Sequence, residues 1–481
     1  MTANAKTNLD AAEQIDPQSV YTMLICDLIG LRFGPDGRPD PSEVRAHIEA
    51  RGGRFHLSAL GDKAGLERGR VHFFYQPDLS TREELAEAAG DGRYDAVIAA
   101  ATFLPAETVF PLAGVRIGAG TGNMGSRSWG GGSGQGGSAV LMNTPGINSR
   151  ATAQMVMKAI LKVLPDLPVD VLHERVARGA FDTGRDLRDF PTEKLEGKTI
   201  AVIGYGNIGR EVAKLARAFG MRVVIHARPR HRDWIETEGF VFAPDLVEAA
   251  DGADVLSVHV GLGKQDAQTG RYANAGLIGT EVLSCMNKGA VLVNYDRGEL
   301  VEVAALGNAL ETGRVRHAAV DADLFMDLST GSLSGPMLPY LDLVEKHGDK
   351  LELLPHAAAD TDHPSRVAGA KQAVDQIFDI ICRKSVTNAK GTVPSGYLSR
   401  GSTTPPGIGP ATAGDLLKLT AQECFDLADL CERQTQLWKA LSNARPDERG
   451  KIVAERGGEL VRLTNRFCLG VEKSNLRSSC Q

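Results

Sequence analysis

The sequence predicts an α/β protein of two domains, with parallel sheets and crossover helices. Three observations carry that expectation. Strand-like apolar runs alternate with helix-patterned segments through most of the 481 residues. Glycine is abundant at 54 residues while aromatic content is 5%, a balance that suits many tight turns. An apolar run, a Gly-x-Gly-x-x-Gly turn and a helical pattern follow one another over residues 199–219. A chain of this length has room for two to four domains, each with its own core.

Composition excludes several classes of function. A formal charge of −6 gives no basic footprint for phosphate-backbone binding, so no nucleic-acid partner is expected. No stretch of about 18 apolar residues predicts a membrane span. The polar start, Met1 to Pro17, has no apolar core of a secretory signal. Seven cysteines are scattered, odd in number and without a Cys-x-x-Cys pair. That argues against a disulfide framework or a metal centre, and fits a reducing cytoplasm.

Taken in order, Tyr21–Leu28 reads as a buried strand, Pro41–Arg51 as a helix and Arg54–Ser58 as a second strand. Thr81–Ala89 is helical, and Ala96–Ala101 is apolar enough for a central strand. Gly118–Gly137 then holds ten glycines, and its tract Ser126–Ser138 has the composition of a flexible linker. It reads either as a solvated surface loop or as a mobile cover over a site. Asn148–Leu164 is a long helical pattern broken by Pro165. A second α/β region opens at Lys198–Ile203 and runs to about Leu354. Gly401–Pro410 reads as a linker. Beyond it, Leu416, Leu419, Leu427, Leu430, Leu437 and Leu441, then Ile452, Leu460, Leu463 and Phe467, fall at helical spacing, an αα-hairpin split by Asn443–Gly450.

The strand Thr199–Ile203 runs directly into Gly204-Tyr-Gly206-Asn207-Ile208-Gly209 and the helix Arg210–Phe219. In that context the motif reads as a Rossmann dinucleotide site. The first glycine permits the turn, the second lets backbone approach a pyrophosphate, and the third lets helix and strand pack. The helix N-terminus presents free N–H groups and positive dipole to the anion. An NAD site usually ends its second strand, here Arg222–Ile225, on a carboxylate that holds the ribose hydroxyls. Ala227 stands at that position, flanked by Arg228 and Arg230. Arginines attract a 2′-phosphate that a carboxylate repels. The sequence therefore points to NADP, with NAD as the alternative if these arginines are merely a solvated face.

From here the chain resembles the D-isomer-specific 2-hydroxyacid dehydrogenase family. The resemblance rests on Leu195–Gly209, Ala253–Val260, Met286–Val301, Val320-Asp321 and Leu354-Pro-His356, with Gly118–Met124 and Met142–Gly146 in the first half. It implies a Rossmann domain inserted in a flavodoxin-like, discontinuous substrate domain, and a homodimer. The segments are 1–149 for the first part of the substrate domain, 150–354 for the dinucleotide domain, 355–400 for the return segment, and 401–481 for the linker and helical extension. By the same resemblance Arg297 clamps the carboxylate of a 2-oxo or 2-hydroxy acid and polarises its carbonyl. His356 is the general acid/base. Asp321 holds the nicotinamide carboxamide, His259 lines the nicotinamide side, and the N–H groups of Ala119 and Gly120 bind the substrate carboxylate.

One position departs from the family pattern. Met326 stands where a glutamate pairs with the histidine. Asp323, Asp327, Asp360 and Asp362 are candidates to replace it. Two other readings stay open: a hydride-only enzyme resembling formate dehydrogenase, which fits Met326, and a cofactor-sensing scaffold of the same fold without turnover.

Overall fold

The computed structural model describes residues 15–161, 168–266, 268–327, 330–356, 362–401 and 421–468. The chain divides into two compact units, Met1–Met155 with Ala357–Pro405, and Val156–His356 with Pro406–Gln481.

In the first unit, strands β1 (Val20–Ile25), β2 (Arg54–His56), β3 (Arg70–Tyr75), β4 (Ala96–Ala99), β5 (Ala113–Arg116) and β6 (Val140–Asn143) form a parallel sheet in the order β6-β5-β4-β1-β3-β2. The late pair Ala389–Lys390 adds an antiparallel edge to β6. Alternation along β1 sends Met23 and Ile25 to one apolar layer and Leu24 to the other, as strand geometry requires. The first layer is closed by the helix His363–Arg383 through Val367, Ala370, Val374 and Ile377. Between the strands, the helix Arg82–Ala89 starts at a capping box in which Thr81 and Glu84 satisfy each other's backbone N–H groups. Two strands, β3 and β5, were absent from the sequence expectation.

The glycine-rich tract is not the solvated linker or mobile cover that its composition suggested. Trp129 is fully buried, stacks on Phe110 with ring centroids 5.8 Å apart, and donates its Nε1–H to the Met124 carbonyl at 2.9 Å. Two short 3₁₀ turns, Arg127–Trp129 and Gly131–Ser133, wrap the indole. The glycines serve close approach rather than looseness. A Cβ on Gly114 would stand 2.5 Å from the indole, and one on Gly137 2.2 Å from the Trp129 Cα.

The second unit is a seven-stranded parallel sheet. Its strands are β7 (Thr199–Ile203), β8 (Arg222–His226), β9 (Val241–Ala243), β10 (Val255–Val258), β11 (Ala290–Asn294), β12 (Val315–Ala322) and, after a small hairpin β13 (Phe325–Met326)/β14 (Leu333–Ser334), β15 (Leu351–Pro355). The order is β15-β12-β11-β10-β7-β8-β9. The strand order reverses between β7 and β10, the place where open α/β sheets take ligands at their carboxyl ends. Leu256, Leu292, Ala318 and Val320 lie in a core closed by Leu283, Leu306 and Tyr340.

The helix Ser149–Leu161 fits the expected pattern; the remainder to Leu164 and Pro165 lies outside the described residues. Toward the C-terminus, helices Ala421–Asn443 and Pro446–Cys468 form a hairpin as expected, joined by an Arg433–Glu459 pair at 2.9 Å, but the break is shorter than Asn443–Gly450, because the second helix already starts at Pro446 and runs through Gly450. Residues 402–410 of the linker, with Leu416 and Leu419, lie outside the described residues. Among the described residues no helix is long and apolar enough to cross a membrane, and no group of three or more His, Cys, Asp or Glu is placed to hold a metal ion.

Candidate active site

The dinucleotide turn is built by β7 and the helix Asn207–Ala218. Gly204 sits at φ +100°, a left-handed conformation that disfavours any side chain, and a Cβ there would stand 2.1 Å from the His259 carbonyl. A Cβ on Gly209 would stand 2.1 Å from the Gly204 carbonyl, so the third glycine allows the helix to lie against the strand. Gly206 differs: it is exposed, and nothing lies within 4 Å of where its Cβ would be. It is the N-cap of the helix and brings no side chain to the cap. The first turn, with Asn207 and Ile208, contains no acidic residue. A cradle with open space over Gly206 and an uncapped helix N-terminus fits the pyrophosphate of a dinucleotide.

His259 lies at the carboxyl end of β10, its backbone N–H bonded to the Ile203 carbonyl at 2.7 Å. Its Nε2 is 2.7 Å from the Ser257 hydroxyl, and among the described residues its buried Nδ1 has no partner. Burial depresses its pKa to about 3, so the ring is neutral at physiological pH. An orphaned buried nitrogen beside the glycine turn fits a site completed by a polar ligand group. Ala227 is buried, whereas Arg228 and Arg230 are exposed and have no ion-pair partner among the described residues.

Arg297 leaves the carboxyl end of β11. Its carbonyl accepts from Asn294 Nδ2 at 2.8 Å, and the Gly298 carbonyl accepts from the buried Tyr340 hydroxyl at 2.6 Å. Gly298 also allows the turn to pack on β12, since a Cβ there would stand 2.8 Å from the Ala322 Cβ. The guanidinium is about one-third exposed, and its Nη1 lies 3.9 Å from Asp323 Oδ2.

His356 follows β15. The register pairs Asp321 with Leu354 and Ala322 with Pro355, and the His356 N–H donates to the Ala322 carbonyl at 3.1 Å. This brings His356 Nδ1 to 3.4 Å from Asp321 Oδ1, a carboxylate with a 7% exposed side chain. Burial works against the charged imidazolium. The hydrogen bond and charge of Asp321, with a smaller contribution from Asp323, outweigh it and raise the His356 pKa above its usual value. Asp296, between Tyr295 and Arg297, is pushed up to about 6 by burial, partly offset by Arg297 and His356.

Arg297, His356, Asp321 and Asp323 thus lie in one region of the second unit. Ala119 and Gly120 belong to the first unit, in the loop after β5. Asn143 Nδ2 donates to the Ala119 carbonyl at 2.6 Å, and the N–H groups of Ala119 and Gly120 have no partner among the described residues. Met326 is 62% exposed on β13. Of the candidates to replace the family glutamate, Asp327 accepts from the Thr330 N–H in a turn and Asp362 caps the helix His363–Arg383. Asp360 lies outside the described residues. The carboxylate beside the histidine is Asp321, which sequence reasoning had assigned to the nicotinamide. Parallel pairing of β12 with β15 was the signal that would have shown it.

Over residues 168–327 the chain matches the family described as "D-isomer specific 2-hydroxyacid dehydrogenase, NAD binding domain". It is 31% identical to a glyoxylate reductase of Aeropyrum pernix over 263 residues, 54% of this chain and 69% of that one. It is 32% identical to a D-3-phosphoglycerate dehydrogenase of Methanocaldococcus jannaschii over 182 residues, 38% of this chain. That match spans about a third, 32%, of the phosphoglycerate dehydrogenase. The fold is similar to that of an NAD⁺-bound 3-phosphoglycerate dehydrogenase of Entamoeba histolytica, with a TM-score of 0.50, 18% identity, and coverage of 77% of this chain and 98% of the other.

Proposed function

Because the chain belongs to the D-isomer-specific 2-hydroxyacid dehydrogenase family, we propose that it is an oxidoreductase acting on a small 2-oxo or 2-hydroxy acid. The observation that carries this reading is the grouping of Arg297, His356 and Asp321 at the carboxyl ends of β11, β15 and β12. A nicotinamide dinucleotide, when bound, supplies or accepts the hydride. Arg297 binds the substrate carboxylate, exchanging its long contact with Asp323 for a shorter charge-assisted one, and draws electron density from the carbonyl. His356 donates a proton from Nε2 to the carbonyl oxygen in reduction and takes it back in oxidation. Asp321 orients the ring through Nδ1 and stabilises the imidazolium.

Gly204, Gly206, Asn207, Ile208 and Gly209 receive the pyrophosphate, with His259 and Asp321 toward the nicotinamide. NADPH is preferred over NADH, because Ala227 brings no carboxylate and Arg228 and Arg230 are uncommitted cations. Ala227→Asp combined with Arg228→Ala is expected to reverse that preference in fluorescence titrations of the two cofactors.

The protein is a cytoplasmic homodimer on this reading. The helix Val169–Ala177 buries none of its residues; Val169 and Val176 are exposed and lie with the half-buried Leu172 on one face at helical spacing, an apolar stripe suited to a second copy.

The test is consumption of NADPH or NADH against a panel of 2-oxo acids, with NADP⁺ or NAD⁺ reduction by formate as the control. Turnover of one or more 2-oxo acids supports the proposal. Formate turnover alone contradicts it in favour of hydride-only chemistry, and cofactor binding without turnover contradicts it in favour of a scaffold.

A further inference from the structure

Behind the glycine turn lies a buried charged cluster. Tyr205, between the first two glycines, is 2% exposed and directs its hydroxyl inward, donating to the Glu238 carboxylate. Arg210, in the first turn of the helix Asn207–Ala218, places Nη2 2.6 Å from Glu238 Oε1, with side chains 9% and 2% exposed. The Arg210 guanidinium lies over the Trp234 ring, 3.9 Å from its centroid. Tyr205 meets Trp234 edge-on at 5.7 Å, and Arg217 Nη1 donates to the Glu238 carbonyl.

Glu238 and Trp234 belong to one short segment. Trp234 is on the helix Arg232–Thr237, Glu238 caps its C-terminus, and the turn Pro229–His231 leads into it. Arg228 and Arg230 therefore sit at the near end of a segment whose far end is fastened to the glycine turn. A buried ion pair is a poor source of stability, since apolar groups of the same volume do as well, but its hydrogen bonds fix position and angle. Here they fix the distance between the segment that carries two free cations and the turn that holds the pyrophosphate.

We propose that Glu238 is a positioning residue for cofactor choice. Through Arg210 and Tyr205 it locks the segment 228–238 onto the glycine turn, and so sets discrimination between 2′-phosphorylated and unphosphorylated dinucleotides without touching either. This rests on the reading of Arg228 and Arg230 as the 2′-phosphate contacts. A merely structural cluster would support both cofactors alike; a positioning cluster favours the phosphorylated one.

The experiment titrates NADPH and NADH on the full chain. The proteins compared are the unmodified one, Glu238→Gln, the apolar pair Arg210→Met/Glu238→Leu, Arg228→Ala/Arg230→Ala, and the latter combined with Glu238→Gln. The apolar pair keeps the volume filled and so reports even where Glu238→Gln fails to fold. Both changes at Glu238 are expected to reduce the NADPH-over-NADH affinity ratio about tenfold, the effect of a modest loss of contact energy. With Arg228 and Arg230 already alanine, Glu238→Gln is expected to leave the ratio where it is. An unchanged ratio, or equal weakening of both cofactors, overturns the proposal while a reduced ratio in Arg228→Ala/Arg230→Ala leaves the 2′-phosphate reading standing. An unchanged ratio in Arg228→Ala/Arg230→Ala overturns both.

Discussion

Two glycine-rich segments of this chain do opposite work. In the turn Gly204–Gly209, the outer glycines are closed by the protein's own backbone while the space at Gly206 is open. In the tract 126–138, the space at Gly137 is taken by Trp129, that at Gly130 by the Gln135 backbone, and that at Gly134 by the Lys390 backbone. The first segment is shaped to receive something the chain does not contain; the second is shaped around a tryptophan the chain supplies. Glycine count distinguishes neither. An open Cβ position alone does not decide, since Gly136 in the tract is open as well; at Gly206 the open position caps an α-helix whose free N–H groups suit an anion.

The contrast can be broken by substitution. The largest effect is expected for Trp129→Ala, which leaves a cavity in the first unit and costs about 3–5 kcal/mol of stability. Urea unfolding measures it; a loss near zero would restore the solvated-loop reading. Gly206→Ala is the counterpart. Its φ of −87° tolerates a side chain, so stability should change by less than about 0.5 kcal/mol. Cofactor affinity, read by fluorescence titration, should nonetheless fall about tenfold or more, equivalent to roughly 1.4 kcal/mol. Unaltered affinity would remove Gly206 from the cofactor cradle.

Smaller effects are expected at the histidine. If His356 is the acid, as proposed, kcat/KM for reduction is expected to be retained at low pH and to fall as pH rises through a pKa above the ordinary value of about 6.5. Oxidation should show the opposite limb. Asp321→Asn removes the charge that favours the imidazolium and should move the midpoint down. An unmoved midpoint would mean that another group sets it. The smallest effect is expected for Met326→Glu. The side chain is 62% exposed, so a carboxylate there is screened, and the profile should shift by less than about 0.5 unit.

The sequence made the second unit the more legible one. An apolar strand, three spaced glycines and an amphipathic helix are all local signals, and β7, the helix after it and β8 lie where those signals put them. Strand β5 was not legible, because Ala-Gly-Val-Arg is short and contains a glycine whose purpose is to admit an indole fifteen positions later. Strand β3, Arg-Val-His-Phe-Phe-Tyr, was not legible because Arg70 and His72 break the apolar run in its first half. At the candidate site, Arg297 and His356 were visible as motif positions. The partner of His356 was not, because Asp321 reaches it through strand pairing between residues 35 apart in the chain. The buried Glu238–Arg210 pair was invisible for the same reason, its members being 28 apart with no motif joining them.

On the proposed reading Arg297 anchors a 2-oxo acid beside His356 and takes no part in holding the cofactor, whose pyrophosphate lies at the Gly204–Gly209 turn. The most direct measurement is kcat/KM for 2-oxo acid reduction by Arg297→Ala, taken with the NADPH dissociation constant of the same variant. Loss of a clamp that also polarises the carbonyl should cost about 3–5 kcal/mol in the transition state, a fall of about two to four orders of magnitude. The NADPH dissociation constant should stay within about twofold of the unmodified protein, a change worth less than roughly 0.5 kcal/mol. Unchanged kcat/KM, or an equal loss of cofactor affinity, would contradict the account.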